Sequence, residues 1–276
     1  MDGRRVAPAL AAALVMVTGL AGCGNEASRA GEGEASASAA ASPRPSPSRT
    51  RESPAPEVVA PTGPATAPGR DTVTHPQQVF SGKELEKVLL PDSTFGRRLQ
   101  RGDEHAMPFE STHEQRRQRW QFCLGGGEDP AWLGPATYRG AEAVAHTLRV
   151  IGNEGEAVAV QRLVSLPVAS ARDHMRVEQD IMRHCPSFSS DMEAGSAQEE
   201  YAVEPLEELG DEAYLVIHKI RYEGDVRTEY SAHIRIGGVL ASVIGVAGMA
   251  DREDTVRWAA QLARETGSAL YGAGQG

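Results

Sequence analysis

From Gly24 to about Gln78 the chain offers almost nothing to bury. The run "SPRPSPSRTRESPAPEVVAPTGPATAPG" is mostly Ala, Ser, Pro, Gly, Glu and Thr. Such a composition cannot offset its own ordering entropy, so residues 23–78 read as a disordered linker and any fold must lie beyond them. About two hundred of the 276 residues remain. That suffices for one domain with a core that needs neither a metal nor many bridges. Pro-rich segments are semi-extended, at about 3.1 Å per residue locally, so the tether spans on the order of tens of Å.

The residues before the linker explain what the tether is tied to. Arg4 and Arg5 form a basic start, and residues 6–20 are apolar and small. This run falls short of the roughly twenty residues a membrane span needs. Leu20-Ala21-Gly22-Cys23 follows and resembles the lipobox of bacterial lipoproteins, with Leu20 at −3 and Cys23 at +1. The resemblance implies that residues 1–22 are a signal peptide, cleaved before Cys23. It also implies that the Cys23 thiol carries acyl chains of the palmitate type, which anchor the chain on the extracytoplasmic face of the cell membrane. Two or three such chains hold a protein stably, at about 0.8 kcal/mol per buried CH₂. An ordinary secretory leader with an accidental cysteine is the alternative. A twin-arginine export route from Arg4-Arg5 is another, although the residues after that pair match it poorly.

Three cysteines are present. With Cys23 lipidated, Cys123 and Cys185 remain, and outside the cytoplasm such a pair is more often bridged than free. Two buried free thiols are the other reading. The formal net charge of −10 repels phosphate backbones and argues against nucleic acid as a partner.

The domain is expected over residues 79–271. "SGKELEKVLLP" sets Ser81 and Glu84 at capping-box spacing, then Leu85, Val88 and Leu89 on one helical face. Residues 92–113 show no clear period. "RRQRWQFC", Arg116 to Cys123, reads as a strand, and "LGGGEDPAWLGP" as a loop. Residues 143–151 and 157–166 read as paired strands around Gly152-Asn153-Glu154-Gly155. A helix begins at Pro167 and carries an apolar stripe that ends at Cys185. Residues 213–222, 226–236 and 239–247 read as three strands, and Asp251 caps a last helix. Helices interleaved with hairpin-connected strands imply an α+β fold with a mainly antiparallel sheet packed against helices.

The order of these parts carries a second resemblance. After the tether come "ELEKVLLP", then "WQFC" (Trp120 to Cys123), "YRG" (Tyr138 to Gly140), a two-strand unit, "ARDHMRVEQDIMRHC" (171–185) and "IRIGGVLASVIG" (234–245). This resembles the PknH-like extracellular sensor-domain family, over about residues 79–270. The resemblance implies an α+β domain with a central sheet, a ligand groove and disulfides. The chain departs in having thiols for one bridge only. The family supplies no catalytic residues, so none are assigned.

The chemistry-bearing motifs agree with that. G-x-S-x-G and S-x-x-K are absent, and "HEQRR" at His113 lacks the second histidine of a zinc motif. No metal and no cofactor are expected, and the chain reads as a non-enzyme. Ser231 and His233 share a strand face without a placed acid and read as a polar face. Trp120 and Trp132 flank the glycine-rich loop and, with Tyr138, are the candidate ligand-binding residues, since apolar pockets use aromatics. Acids are dense over 191–212 (from Asp191 through Glu199, Glu200 and Glu204 to Glu212), and arginines over 97–119, including Arg97, Arg98 and Arg101. A solvated acidic loop and a solvated basic edge, mutual pairing, contact of the arginines with anionic wall polymers or lipid headgroups, and weak divalent-cation binding by the acids are the readings open to them. The chain is therefore expected to be a membrane-anchored binding or sensor-type module for an unknown small ligand. A structural lipoprotein that docks on an envelope protein is the alternative, and a wall hydrolase is a lesser one.

Overall fold

The computed structural model describes residues 66–72, 74–96, 99–151, 154–192 and 195–272, all within one compact unit, Ser53–Gly276. The expected signal peptide (residues 1–22), Cys23 and the expected linker up to residue 65 lie outside the described residues, as do Arg97, Arg98 and Glu193.

In chain order the elements are β1 (Ala67–Pro68), α1 (Gly82–Glu86), β2 (Leu99–Ser111), α2 (His113–Arg119), α3 (Gln121–Leu124), β3 (Tyr138–Ile151) and β4 (Glu154–Ser165). Then follow α4 (Val168–His184), β5 (Ser187–Met192), β6 (Gly195–Pro205), β7 (Leu209–Gly210), β8 (Glu212–Tyr222), β9 (Asp225–Ile236), β10 (Val239–Gly245) and α5 (Arg252–Tyr271). Eight strands form one sheet in the order β2-β3-β4-β10-β9-β8-β6-β5, and every neighbouring pair is antiparallel. The fold is α+β. Among the described residues, no helix is long and apolar enough to cross a membrane.

Strand alternation divides the core into two faces. Leu215 on β8, Ile234 on β9 and Ala241 on β10 join Leu85 on α1 and Trp258 on α5. Their strand neighbours Tyr214 and Val216 turn to the opposite face and pack with Met175, Val177 and Ile181 of α4. The sheet is thus covered on both sides, by α1 and α5 on one and by α4, α2 and α3 on the other. Ser81 and Glu84 form the reciprocal cap that starts α1. Asp251 accepts from the Asp254 N–H to start α5.

Three segments differ from the sequence reading. Residues 99–111, which show no period, form the long edge strand β2. Only Phe109 is fully buried on it, so the alternation that marks a strand is nearly absent. Arg116 to Cys123 is helical rather than a strand. Thr112 and Gln115 cap each other, a signal that names this helix start once it is sought. The acidic stretch is not a solvated loop but contributes β5 and β6, at the other edge of the sheet. The packed region also reaches back into the segment assigned to the linker. Ala67 is buried, and β1 pairs in parallel with β7.

Gly140 of the "YRG" motif has a steric reason. A Cβ there would overlap the Ser165 carbonyl of β4. Gly140→Ala is expected to destabilise the domain by about 1–3 kcal/mol through forced strand displacement, read as a shift in urea midpoint.

Candidate functional site

Cys123 at the end of α3 and Cys185 at the end of α4 form a disulfide, with Cα atoms 5.7 Å apart. Beside it Trp120 is buried, its ring 5.2 Å from Tyr201 and 6.0 Å from Phe188. Trp132 is partly exposed and stacks on His184 at 4.7 Å. Tyr138 lies in a separate apolar cluster with Phe109 and Leu166, and its hydroxyl donates to Asp173 at 2.7 Å. The three aromatics singled out in the sequence are therefore not gathered into one site. The two tryptophans flank the disulfide end of α4, and Tyr138 stands nearer the start of that helix.

Arg116 holds the glycine-rich loop between them. Its side chain is 1% exposed and donates to the carbonyls of Ser111, Leu133, Gly134 and Ala136. Burial lowers its pKa, and the carbonyls compensate the lost hydration of the cation. Arg116→Met leaves those acceptors without a donor. It is expected to cost about 2 kcal/mol or more, with faster amide exchange across residues 125–136.

A polar seam runs between the two apolar clusters under α4. Arg162 on β4, Ser242 on β10, His233 on β9 and Tyr214 on β8 are direct cross-strand neighbours, so they line one face in a row. His174 and Glu178, one helical turn apart on α4, lie over this row. His174 packs edge-on to Tyr138 at 4.9 Å, and His233 stacks on Tyr214 at 4.9 Å. Arg119 of α2 donates to Glu178 Oε1 at 2.7 Å, and Arg162 donates to Glu142 Oε2 at 2.6 Å. The two arginines are 45% and 41% exposed, whereas Glu178 is 12% exposed.

The electrostatics follow from this burial. Desolvation pushes the His174 and His233 imidazoles down to about 4, because neighbouring arginines add to the cost of protonation and Glu178 only partly offsets it. Burial acts to raise Glu178, but Arg119 and the two histidines bring it below the ordinary carboxylate value. Both imidazoles are thus neutral at pH 7, and each has a donor and an acceptor nitrogen. Among the described residues, no hydrogen bond reaches either ring, the Ser242 hydroxyl, Glu178 Oε2 or Arg162 Nη1.

The unfolded chain takes up these two protons near 6.5, and the folded one near 4. Stability from this pair is present above 6.5 and lost as pH falls toward 4. His218 on β8 has the opposite sign. Burial acts to lower it, but Glu199 and Glu229 on either side raise it overall, so its contribution is present below 6.5 and lost as pH rises through its folded value. His233→Gln is expected to lose less stability than wild type between pH 7 and pH 5, measured by urea midpoints.

Among the described residues, the serines beside His233 do not form a nucleophile–base pair with it. Neither Ser231 nor Ser242 hydrogen-bonds His233, and Ser242 sits mid-strand with β4 and β9 on its two sides, where its amide belongs to the ladder and not to an oxyanion. Among the described residues, no three His, Cys, Asp or Glu side chains converge on a metal position. Among the described residues, no ion pair joins the acidic segment to the arginine segment. Glu199 binds His218, Glu200 binds Arg221 and Glu204 binds Arg252. Arg101 binds Glu104, Arg117 binds Asp129 and Arg119 binds Glu178. Sequence reasoning missed His174, Glu178 and Arg162, because only the sheet register and the helix crossing bring them to His233.

No protein-family model and no curated protein matches the chain. Among solved structures, it is similar to the extracellular domain of PknH from Mycobacterium tuberculosis, at 16% identity and a TM-score of 0.49, covering 70% of this chain and 99% of that one. This is the domain type that the order of the sequence motifs resembles.

Proposed function

We propose that the chain is an extracytoplasmic lipoprotein, anchored through acylated Cys23, whose α+β domain binds a small ligand in the seam under α4 without transforming it. The observation that carries the reading is the convergence of unspent polar groups. His174, His233, Ser242 and Glu178 face one another under α4 with hydrogen-bonding atoms that, among the described residues, no protein group occupies and that stay open to solvent. The Cys123–Cys185 bridge supports an oxidising compartment. Docking through the acidic segment is less favoured, because Glu199, Glu200, Glu204 and Glu212 are engaged by cations of the domain itself.

Two experiments test the two halves. For anchoring, the wild-type chain is expected in the membrane fraction and Cys23→Ser in the soluble fraction; equal partition of both would remove the anchor. For binding, the exported chain is melted before and after complete unfolding, dialysis and refolding with its disulfide intact. A bound ligand raises the first melting temperature above the second, and identical values count against a retained ligand.

A further inference from the structure

We propose that β5 is a docking edge for a second copy of this chain, which pairs with it antiparallel about Ser189 and carries the sheet across a two-fold axis. This pairing does not depend on a ligand under α4. β5 and β2 are the two edges of the sheet, and each turns a row of backbone N–H and C=O groups outward. The two edges are not alike. β2 is blunted: its register slips between Arg101 and Glu104, Pro108 has no N–H to offer, and Arg101, Asp103, Glu104 and Glu110 line it with charge. β5 carries none of these devices. Its six residues, Ser187–Met192, are an ordinary strand length and pair with β6 without a slip. They include one charge, Asp191, and no proline.

The register says which groups face out. The Tyr201 N–H donates to the Pro186 carbonyl at 2.8 Å, so Pro186 and Tyr201 are a hydrogen-bonded pair and the pairs alternate from there. Phe188 and Ser190 turn their backbone groups toward β6, whereas Ser187, Ser189 and Asp191 turn theirs outward. All three are exposed, and among the described residues no group bonds their amides. The edge is also held in place. The Cys123–Cys185 bridge fixes the chain just before β5, and Trp120 packs on Phe188. A pre-ordered edge loses little entropy when it pairs.

The choice of occupant follows from the chain itself. The tether is a poor strand, since prolines recur from Pro43 to Pro68 and each removes an N–H. A second copy fits. Outward residues must meet outward residues, and with Ser189 opposite Ser189 the whole of 187–191 overlaps. That register sets Asp191 against Ser187 of the second copy, carboxylate against hydroxyl, at both ends. A register centred on Asp191 would oppose two carboxylates and form fewer pairs. The pairing uses backbone groups and not the acids of β6, which the domain's own cations hold. So short an edge buries little area, which places the dimer in the small, transient class of interface.

The test uses the exported full chain in detergent, with micelles in excess of protein. Sedimentation velocity across a hundredfold range of concentration is expected to show a monomer–dimer equilibrium for wild type. Ser189→Pro removes one outward N–H and leaves the β5–β6 bonds intact, and Ser189→Lys sets two cations against each other. Each should stay monomeric where wild type is half dimer, while melting as dilute wild type does. Under mild oxidation Ser189→Cys should link to itself at least tenfold faster than Met107→Cys on the β2 edge. Directly opposed Cα atoms of such a pair stand about 5.5 Å apart, within disulfide reach. A wild type that stays monomeric throughout, both variants dimerising as wild type does, or equal linking at 107 and 189 would each overturn the proposal. Linking of Ser189→Cys to a different protein in the intact cell, with the purified chain monomeric, would overturn the second copy as the occupant of this edge.

Discussion

Arg235→Ala should cost the domain about 3 kcal/mol, because it removes a buried cation from among Asp71, Asp211 and Glu212 and leaves Asp71 with Arg172 alone. The Arg235 side chain is 3% exposed and bonds both oxygens of Asp71, at 2.6 and 3.0 Å, and the Gly237 carbonyl. Asp211 lies alongside at 3.9 Å and accepts from the N–H groups of Arg70, Asp71 and Gly237. Arg172 of α4 adds a second guanidinium to Asp71. This network ties the segment that precedes α1 to the end of the sheet. The hydrogen bond from Arg235 lowers the Asp71 pKa against the opposing effect of burial, with Arg172 assisting. The Asp71 contribution is therefore present above its unfolded value near 3.8 and lost as pH falls through the lower folded value. Urea denaturation of Arg235→Ala, Asp71→Ala and the double variant checks the account. The double variant should cost much less than the sum of the two singles, and strict additivity would show that the pair is not coupled.

Breaking the Cys123–Cys185 bridge is the second large effect. It spans 62 residues of sequence, and closing a loop of that size is worth about 4 kcal/mol in the chain-entropy view. For a domain of this size that corresponds to a fall in melting temperature of roughly 8–16 °C. The loop it closes contains β3, β4 and α4, so its loss acts on the unfolded chain more than on one contact. The double variant Cys123→Ser/Cys185→Ser and the reduced wild type should melt alike. A fall under 2 °C in both would mean that the bridge does not constrain the unfolded ensemble.

The sequence shows the parts of this fold that carry a strong period or a cap. The α4 stripe, the Asp251 cap and the β8-β9-β10 meander all stand where the pattern of residues puts them. Edge elements are harder to read, for a physical reason. On β2 most side chains keep some exposure, so polar residues occupy both faces and erase the period of two. On β6 Glu200 and Glu204 alternate with Ala197, Tyr201 and Val203, but Glu199 shares the face of those three and breaks the pattern, and the cations that neutralise the acids lie on β8 or on α5. The seam is harder still. Ser242 and Arg162 become neighbours of His233 only through strand register, and Glu178 only through α4 crossing the sheet. No spacing along the chain encodes that meeting. The aromatics that sequence reasoning favoured line the ends of α4, and among them Tyr138 contacts the seam, through His174.

The central claim is that the domain holds a ligand under α4, and native mass spectrometry of the gently purified, exported chain tests it most directly. The account predicts a reproducible added mass on the folded monomer that is lost or reduced in Ser242→Ala and His233→Gln. A bare monomer for wild type, or an added mass that both variants retain in full, would contradict it.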